Sequence, residues 1–466
     1  MRYIFLIIFL FVTALGFSQP WKEHGPLKTS SDGHFIEHKD GTPFLWLGST
    51  EWALHQNLSK EDVEFYLDNT KSAGFSVIQL FTASGWALGK EKKNFYGDAP
   101  YINDDATHLN PAYWNHLSWV IDQCAKRGFY VLLVYGPPVR KDESLPFIKT
   151  KEEAYKYGQS VGHILKDKPN IIWCSGIDMA PDDTVKLGPM EFEGWNAIAE
   201  GVADGVNNEN KFDGKADYST TYMTYHPAGG WTSSAWFHNA EWCDFNSSQV
   251  GYRGWNNCED VLVTAVKYDY ALNPSKPTVN LEPWYEGCKW IKPAVDAWLV
   301  RVQAYQTIFA GAGGFSYGNS CIYSFDSTTE DCDHSWKYAL SDTGRLQMKN
   351  VMRLLKIFPF EKRIPNQGIL SSTFYNCHIT NELESHIAAV RASDGSYAMV
   401  YSPEGAWFSV DLKNIDGSKA QAKWYNPRTG AFTDIGIFST RSIEKFTPPG
   451  EMKRGNDWIL LLKKIK

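Results

Sequence analysis

The sequence lacks the features that mark several large classes of protein. It has no run of lysine and arginine, and its formal net charge is -7, so nothing supports nucleic-acid binding. After residue 18, no apolar stretch is long enough to span a bilayer. No glycine-rich dinucleotide fingerprint follows the first predicted strand, and no H-E-x-x-H zinc motif occurs. We therefore predict no membrane span, no organic cofactor and no catalytic metal.

The eight cysteines are scattered singly and form no C-x-x-C pair, which argues against a small disulfide scaffold. Four of them fall in loop-rich regions and are candidates for disulfide bonds, with the pairing left open: Cys258, Cys288, Cys321 and Cys332. Cys124 and Cys174 fall in a predicted helix and strand. We expect these two to be buried thiols.

The N-terminus resembles a secretory signal. An apolar run from Ile4 to Phe17 follows Met1-Arg-Tyr, and it is too short to span a bilayer comfortably. The small residues Gly16 and Ser18 favour cleavage before Gln19. We expect residues 1–18 to be a signal peptide and the protein to be exported, either periplasmic or secreted. An uncleaved N-terminal anchor is the alternative.

Residues 19–362 alternate between short apolar segments and helical stripes. Ser59 with Asp62 forms a capping signal, and Asn110-Pro111 is typical of another helix start. The predicted strands are apolar runs without strict alternation, as in a parallel sheet covered by helices. About eight strand–helix pairs over roughly three hundred residues predict a (β/α)8 TIM barrel, an α/β fold. A doubly wound sheet is the rival fold.

Residues 365–466 have a different pattern. Segments such as Ala388–Tyr401 alternate apolar and polar residues, and turn signals such as Asn426-Pro-Arg-Thr-Gly430 separate them. This predicts a small antiparallel β-sandwich. Trp407, Phe408 and Trp424 could bind a glycan or a matrix protein, although strand spacing favours the sandwich core. A non-catalytic glycan- or matrix-binding protein is therefore the alternative to an enzyme.

Two carboxylates are predicted to end barrel strands on opposite sides of the mouth. Asp178 follows the fourth strand and Glu282 the seventh, where Pro283 must end the ladder. Such a pair can flank one glycosidic bond, with one group protonating the leaving oxygen and the other attacking carbon or activating water. The ordinary alternatives are a loop-bracing Asp178 and a solvent-exposed Glu282. Asp182 and Asp183 could be confused with Asp178.

Further candidate sugar contacts lie beside the same strand ends. Aromatic faces and polar groups are what a sugar-binding cleft needs. The candidates are Glu51 and Trp52 after strand one, His226 after strand five, Asp244 and Gln249 after strand six, Trp284 and Tyr285 beside Glu282, and Tyr317 in strand eight. For His226, a hydrogen-bonded core histidine is the commoner alternative.

Two other chemistries have weaker signals. Gly314-Phe-Ser-Tyr-Gly318 matches the G-x-S-x-G elbow of serine hydrolases, with Asp326 and either His334 or His378 as partners. However, the elbow requires a helix directly after it, and the sequence there is not helical. Asp331-Cys-Asp-His334 could hold an incidental ion, but it lacks the glycine of a calcium loop.

Several motifs together resemble one family, the apiosidase-like glycoside hydrolases, which includes bacterial enzymes acting on apiose side chains of the pectin rhamnogalacturonan II. They are Pro43-Phe-Leu-Trp-Leu-Gly48, Asn170-Ile-Ile-Trp173, Thr224-Tyr-His-Pro227, Ser233-Ser-Ala-Trp-Phe-His238, Trp242-Cys-Asp-Phe-Asn246, Lys276-Pro-Thr-Val279, Glu282-Pro-Trp-Tyr-Glu286 and Tyr317-Gly318. The tail resembles the sandwich that usually follows this barrel, which carries a collagen-binding description. The resemblance implies a retaining mechanism with Asp178 as acid/base and Glu282 as nucleophile. We therefore expect an exported glycoside hydrolase whose substrate is a pectic polysaccharide or oligosaccharide, including apiosyl linkages.

The chain departs from this family pattern at four positions. Ser49 stands where the family commonly has Asp, and Ile177 where a second Gly is common. Tyr252 and Ser316 stand where His is frequent. We expect some of these changes to alter sugar contacts. The sugar, the linkage, exo or endo action and the oligomeric state stay open.

Overall fold

The computed structural model describes residues 18–85, 87–88, 91–141, 145–183, 185–251, 261–289, 294–326, 332–374 and 384–465. Residues 1–17 of the expected signal peptide lie outside the described residues, as do Tyr252, Cys258, Asp331 and His378. Within the described part of the chain, no helix has the length and apolar character needed to cross a membrane.

The strands and helices alternate through the first three quarters of the chain. The strands are β1 Leu27–Thr29, β2 Ile36–His38, β3 Trp46–Thr50, β4 Val77–Phe81, β5 Tyr101–Ile102, β6 Asp105–Leu109, β7 Tyr130–Val134, β8 Ile171–Gly176, β9 Met223–His226, β10 Asn246–Ser248, β11 Thr278–Asn280 and β12 Gly314–Tyr317. They are followed by β13 Arg363–Pro365, β14 Leu370–Thr373, β15 Ala388–Ala392, β16 Tyr397–Ser402, β17 Phe408–Asp411, β18 Lys419–Tyr425, β19 Phe432–Ser439, β20 Ile443–Phe446 and β21 Trp458–Ile465. The helices are α1 Pro20–Glu23, α2 Leu54–Asn57, α3 Lys60–Ser72, α4 Pro111–Lys126, α5 Lys151–Leu165, α6 Gly194–Asn207, α7 Ser234–Phe237, α8 Val261–Tyr270, α9 Ala297–Phe309, α10 Trp336–Ala339 and α11 Thr343–Leu355.

Eight parallel strands form a nearly closed barrel in the order β10-β11-β12-β3-β4-β7-β8-β9. The pairing of β12 with β3 joins the last barrel strand to the first, so the predicted (β/α)8 barrel is confirmed. The predicted helix starts are also confirmed. The Ser59 side chain accepts a hydrogen bond from the Asp62 amide, and the Asn110 side chain accepts one from the Ala112 amide.

The sixth barrel strand lies later than predicted. The apolar residues Trp242–Phe245 indicated a strand, but β10 is the polar segment Asn246–Ser248. All three side chains are buried, and two of them have polar partners: Asn246 Oδ1 lies 3.2 Å from His238 Nδ1, and the Ser247 hydroxyl donates to the Tyr225 carbonyl. Hydrophobic patterning cannot detect a strand of this kind.

The barrel interior is filled rather than hollow. Trp46 donates its indole N–H to Ser316 Oγ at 3.1 Å, and that hydroxyl donates to Gln79 Oε1 at 2.8 Å. Gly48 leaves room for this contact, since a Cβ there would lie 2.2 Å from Ser316 Oγ. Ser316 is therefore an interior residue of a strand and not the nucleophile of a hydrolase elbow.

The C-terminal region is the predicted antiparallel β-sandwich. A six-stranded sheet and the three-stranded sheet β14-β17-β20 enclose one apolar core. Phe408 and Trp424 belong to that core. Trp407 is only partly buried, and the Lys445 ammonium lies 3.9 Å from the centre of its ring.

Helix α9 joins the barrel to the sandwich. Arg301 forms a two-pronged salt bridge to Asp457, with N–O distances of 2.9 and 2.7 Å. Both side chains are buried, at 4% and 0% exposure. The Trp298 indole donates to the Pro403 carbonyl at 2.9 Å, and Tyr425 donates to the Asn350 carbonyl at 2.7 Å. The two regions therefore share an interface with buried polar contacts.

The Arg301→Ala variant is expected to lower the free energy of unfolding by about 3–5 kcal/mol, because it leaves the Asp457 charge buried without its partner. Urea denaturation followed by tryptophan fluorescence measures the change. The control is Lys362→Ala, which breaks the exposed pair with Asp394 and should cost far less, because solvent screens exposed charges. Equal losses in the two variants would contradict a special role for the interface pair.

Two of the four candidate cysteines form a disulfide within the described residues. Cys321 and Cys332 are bonded in the loop after β12. Cys288 is buried, and Cys258 lies outside the described residues. Cys124 and Cys174 are buried thiols, as predicted.

Candidate active site

Asp178 lies just past the C-terminal end of β8. The chain turns sharply there, with φ of +93° at Gly176 and +58° at Asp178. A Cβ at position 176 would lie 2.5 Å from the His226 carbonyl oxygen, so the strand end requires glycine. Asp is one of the few residues that tolerate the left-handed conformation, which recurs at functional sites. The Asp178 side chain is 40% exposed, and its carboxylate lies 4.0 Å from Arg140 Nη1.

Glu282 follows β11 and is held from two sides. His226, the last residue of β9, places Nε2 3.3 Å from Glu282 Oε2. On the other side, the Tyr285 hydroxyl donates to Glu282 Oε1. The Trp52 indole N–H in turn donates to the Tyr285 oxygen at 2.7 Å. This arrangement fixes the carboxylate plane and leaves 16% of the side chain exposed at the mouth.

The two carboxylates are close together. One side-chain oxygen of Asp178, one of Glu282 and a ring nitrogen of His226 all lie within 4.8 Å of one another. In glycosidases that retain anomeric configuration the carboxyl groups are about 5–5.5 Å apart, whereas inverting enzymes leave about 6.5–9.5 Å for a water. The nearest oxygens of this pair are closer together than the carboxyl groups of inverting enzymes.

The surroundings of Asp178 and His226 shift the pKa values of these two groups for different reasons. Burial of the carboxyl group in the site and, second to it, the nearby charge of Glu282 raise the pKa of Asp178 to about 7, against the opposing effects of His226, Arg140 and a hydrogen bond from Gln249. Burial alone would lower the pKa of His226, but the hydrogen bond and charge of Glu282 outweigh it and raise the pKa. Asp178 is thus suited to hold a proton near neutral pH.

The same three residues could in principle coordinate a metal, since carboxylate oxygens and an imidazole are common ligands. The geometry favours an ion pair instead. His226 Nε2 faces Glu282 at 3.3 Å, and Nδ1 lies 3.2 Å from the Pro227 carbonyl oxygen. A cation would have to replace this pairing, so we assign no metal.

Comparison with known proteins identifies the family. Residues 30–362 match the family described as "Apiosidase-like, catalytic domain". The chain belongs to the apiosidase-like glycoside hydrolases. Residues 364–463 match "Putative collagen-binding domain of a collagenase". A comparison with curated proteins finds no match.

Solved structures agree with this assignment. One described as a glycoside hydrolase is 30% identical, with a TM-score of 0.81 over 96% of this chain and 98% of the other. A glycoside hydrolase family 5 structure from Bacteroides vulgatus ATCC 8482 is also 30% identical, with a TM-score of 0.82 over 96% and 95%. The protein is therefore a glycoside hydrolase with a carbohydrate substrate, and the non-catalytic alternative is set aside.

Four of the remaining candidate residues surround the carboxylates of this apiosidase-like hydrolase: Trp52, His226, Gln249 and Tyr285. Trp52 packs edge-on against His226, with ring centres 5.3 Å apart. Gln249 donates its side-chain amide to Asp178. Tyr285 contacts Glu282, and the neighbouring Trp284 packs over Gly251, where a Cβ would lie 1.7 Å from the indole ring.

The structure does not bring Glu51 or Tyr317 to the cleft. Glu51 is 0% exposed and accepts a hydrogen bond from Tyr66 on α3, so it lies behind the barrel wall. Tyr317 also points behind the barrel wall, and its hydroxyl donates to Glu286 Oε2 at 2.6 Å. Glu286 also accepts the Gly344 and Arg345 amides at the start of α11. Glu51 follows β3 and Tyr317 ends β12, but the side chains of both lie away from the mouth.

Asp244 lies at the opposite end of the barrel from the site. It precedes β10 instead of following it, and its carboxylate accepts the amide of Met223, the first residue of β9, at 2.7 Å. The predicted boundaries of the sixth barrel strand were wrong, and Asp244 was therefore assigned to the wrong end of the barrel.

The structure also shows where two of the departures from the family pattern lie. Ser49 faces Tyr66, with its hydroxyl 3.4 Å away, and Ser316 is inside the barrel. Neither is positioned to touch a sugar in the mouth. Arg140 is a site residue that the sequence reasoning missed, although it follows the third barrel strand and inspection of that loop could have found it.

Proposed function

We propose that this enzyme is a retaining glycoside hydrolase that cleaves pectic side chains, including apiosyl linkages, with Asp178 as acid/base and Glu282 as nucleophile. The observation that carries the proposal is the separation of their carboxylate oxygens, within 4.8 Å at the barrel mouth. This spacing suits direct attack by one carboxylate.

In the first step, Asp178 donates its proton to the glycosidic oxygen as the bond to the anomeric carbon breaks. Glu282 attacks that carbon and forms a glycosyl ester, and the alcohol leaves. In the second step, the Asp178 carboxylate takes a proton from water. The water oxygen attacks the same carbon, the ester breaks, and the Glu282 carboxylate is restored together with the protonated Asp178.

The neighbours of Glu282 support its role as the nucleophile. Tyr285 occupies one oxygen as a hydrogen-bond donor, and His226 lies beside the other. Donors in fixed positions orient the attacking lone pair before substrate arrives. The same donors stabilise the carboxylate when it leaves the ester in the second step.

The pectic substrate and the exported location are supported by the family and by the sequence. The catalytic family is named for apiosidases, and the N-terminal apolar run is of signal-peptide type. A polysaccharide too large to enter a cell requires an exported enzyme. We propose a periplasmic or secreted protein on these grounds.

Sugar release from a panel of pectic glycans tests the proposal. The panel should contain rhamnogalacturonan II and its apiosyl oligosaccharides, and products should be identified by chromatography. Release of one monosaccharide by the wild type is the expected result. A folded protein that releases nothing from any pectic glycan would reject the substrate class and leave the family assignment unaffected.

A further inference from the structure

Trp231 is a large aromatic residue exposed near the barrel mouth. It lies on the loop that joins β9 to β10, and 52% of its surface is exposed. Its ring centre is 5.2 Å from that of Trp236, with 45° between the ring planes. Exposed tryptophan costs solvation free energy and contributes little to folding. The position therefore requires an explanation outside the core.

Two backbone hydrogen bonds fix Trp231 close to the acid/base residue. The Gln249 amide donates to the Trp231 carbonyl at 3.1 Å, and the Gly230 amide donates to the Gln249 carbonyl at 2.8 Å. The side chain of the same Gln249 donates to Asp178. Thus one residue bonds both to the backbone of Trp231 and to the carboxyl group of Asp178.

The second indole is anchored to the neighbouring loop. Trp236 donates its Nε1 hydrogen to Asp182 Oδ2 at 3.2 Å, and Asp182 lies four residues after Asp178. The loops after β8 and β9 are therefore connected at the rim. Trp236 is held in place by this bond and supports the exposed ring of Trp231.

We propose that Trp231, supported by Trp236, is a stacking platform for the leaving-group portion of the substrate. This inference rests on the proposed role of Asp178, because the acid protonates the leaving oxygen and the remaining glycan must depart on its side. The flat indole face suits the apolar C–H face of a pyranose ring. The platform would make the enzyme select for the glycan that carries the cleaved sugar.

The test compares Trp231→Ala and Trp231→Phe with the wild-type full-length enzyme. Two substrates are used: rhamnogalacturonan II oligosaccharides, and the glycosyl fluoride of the sugar that the enzyme releases. The alanine variant is expected to lower kcat/KM for the oligosaccharides by about tenfold, mainly through KM, because stacking area is lost. Phenylalanine should restore part of the loss. The rate with the glycosyl fluoride should change by less than about twofold, because the fluoride leaving group is too small to contact the indole.

A binding measurement separates this inference from the proposed reaction. Calorimetric titration measures the affinity for the same oligosaccharides in Glu282→Gln and in the double variant that also carries Trp231→Ala. Tyr268→Ala on α8 is the control, since Tyr268 is 61% exposed away from the loops of the site. Weaker binding that is confined to the Trp231 variant supports the platform. This holds even if the wild type releases no sugar, because that result counts against the proposed reaction and not against the platform. Equal binding in all variants, no binding in any, or equal kinetic losses on both substrates would overturn it.

Discussion

Hydrolysis by Glu282→Gln is expected to fall by about 10⁴-fold or more, because the glycosyl ester can no longer form. Glu282 is the only carboxylate among the described residues that lies within 4.8 Å of both Asp178 and His226. Steady-state release of the sugar identified in the pectic panel measures the effect. Glu241→Gln, at an exposed position between β9 and β10, should retain full activity.

The azide ion can decide which carboxylate is the nucleophile. In Glu282→Gly, azide can enter the space of the lost side chain and attack the anomeric carbon directly, giving a glycosyl azide of inverted configuration. In Asp178→Gly, the ester still forms, and azide replaces water in the second step to give the retained configuration. Proton NMR of the products distinguishes the two. The reverse pattern would exchange the assigned roles, and full activity of Glu282→Gln would reject the site.

Much of the fold was predictable because local signals and tertiary structure agree. Helices α3 and α4 begin at residues whose side chains cap them, as the capping signals at Ser59 and Asn110 indicate. The apolar runs of β4 and β7 are buried on both faces. Strand β10 was missed because its buried side chains are polar and their partners are distant in sequence. Hydrogen bonding that depends on the folded barrel leaves no periodic signal.

The candidate site was predictable only in part. Strand ends indicated Asp178 and Glu282, because the fold places both at one face. The direction in which each side chain points was harder to predict from the sequence. Glu51 immediately precedes Trp52, yet only Trp52 contacts the residues at the mouth, because the chain leaves β3 after Thr50 and turns at Trp52. The small separation of the carboxylates depends on the left-handed turn at Asp178, which no sequence pattern predicted.

Asp178→Asn is expected to lower kcat/KM for pectic oligosaccharides by about 10²–10⁴-fold, because the leaving alcohol loses its proton donor. A nitrophenyl glycoside needs no such proton in the first step. With that substrate, ester formation should remain fast and the ester should accumulate, since water also loses its base. A burst of nitrophenol followed by slow turnover is the expected signature. The matched control is Asp183→Asn, which changes a nearby loop acid whose carboxylate accepts hydrogen bonds from the Val185 and Lys186 amides.

The pH profile supplies an independent test of the same residue. Burial and the Glu282 charge raise the pKa of Asp178 to about 7, and the protonated form is the one that acts in the first step. The kcat/KM of the wild type for oligosaccharides should therefore fall as pH rises above about 7, approaching about tenfold per pH unit. Since asparagine does not titrate, Asp178→Asn should lack this alkaline limb. An alkaline limb unchanged in the variant would assign the proton to another group, and His226, whose pKa is also raised, would then be the residue to replace.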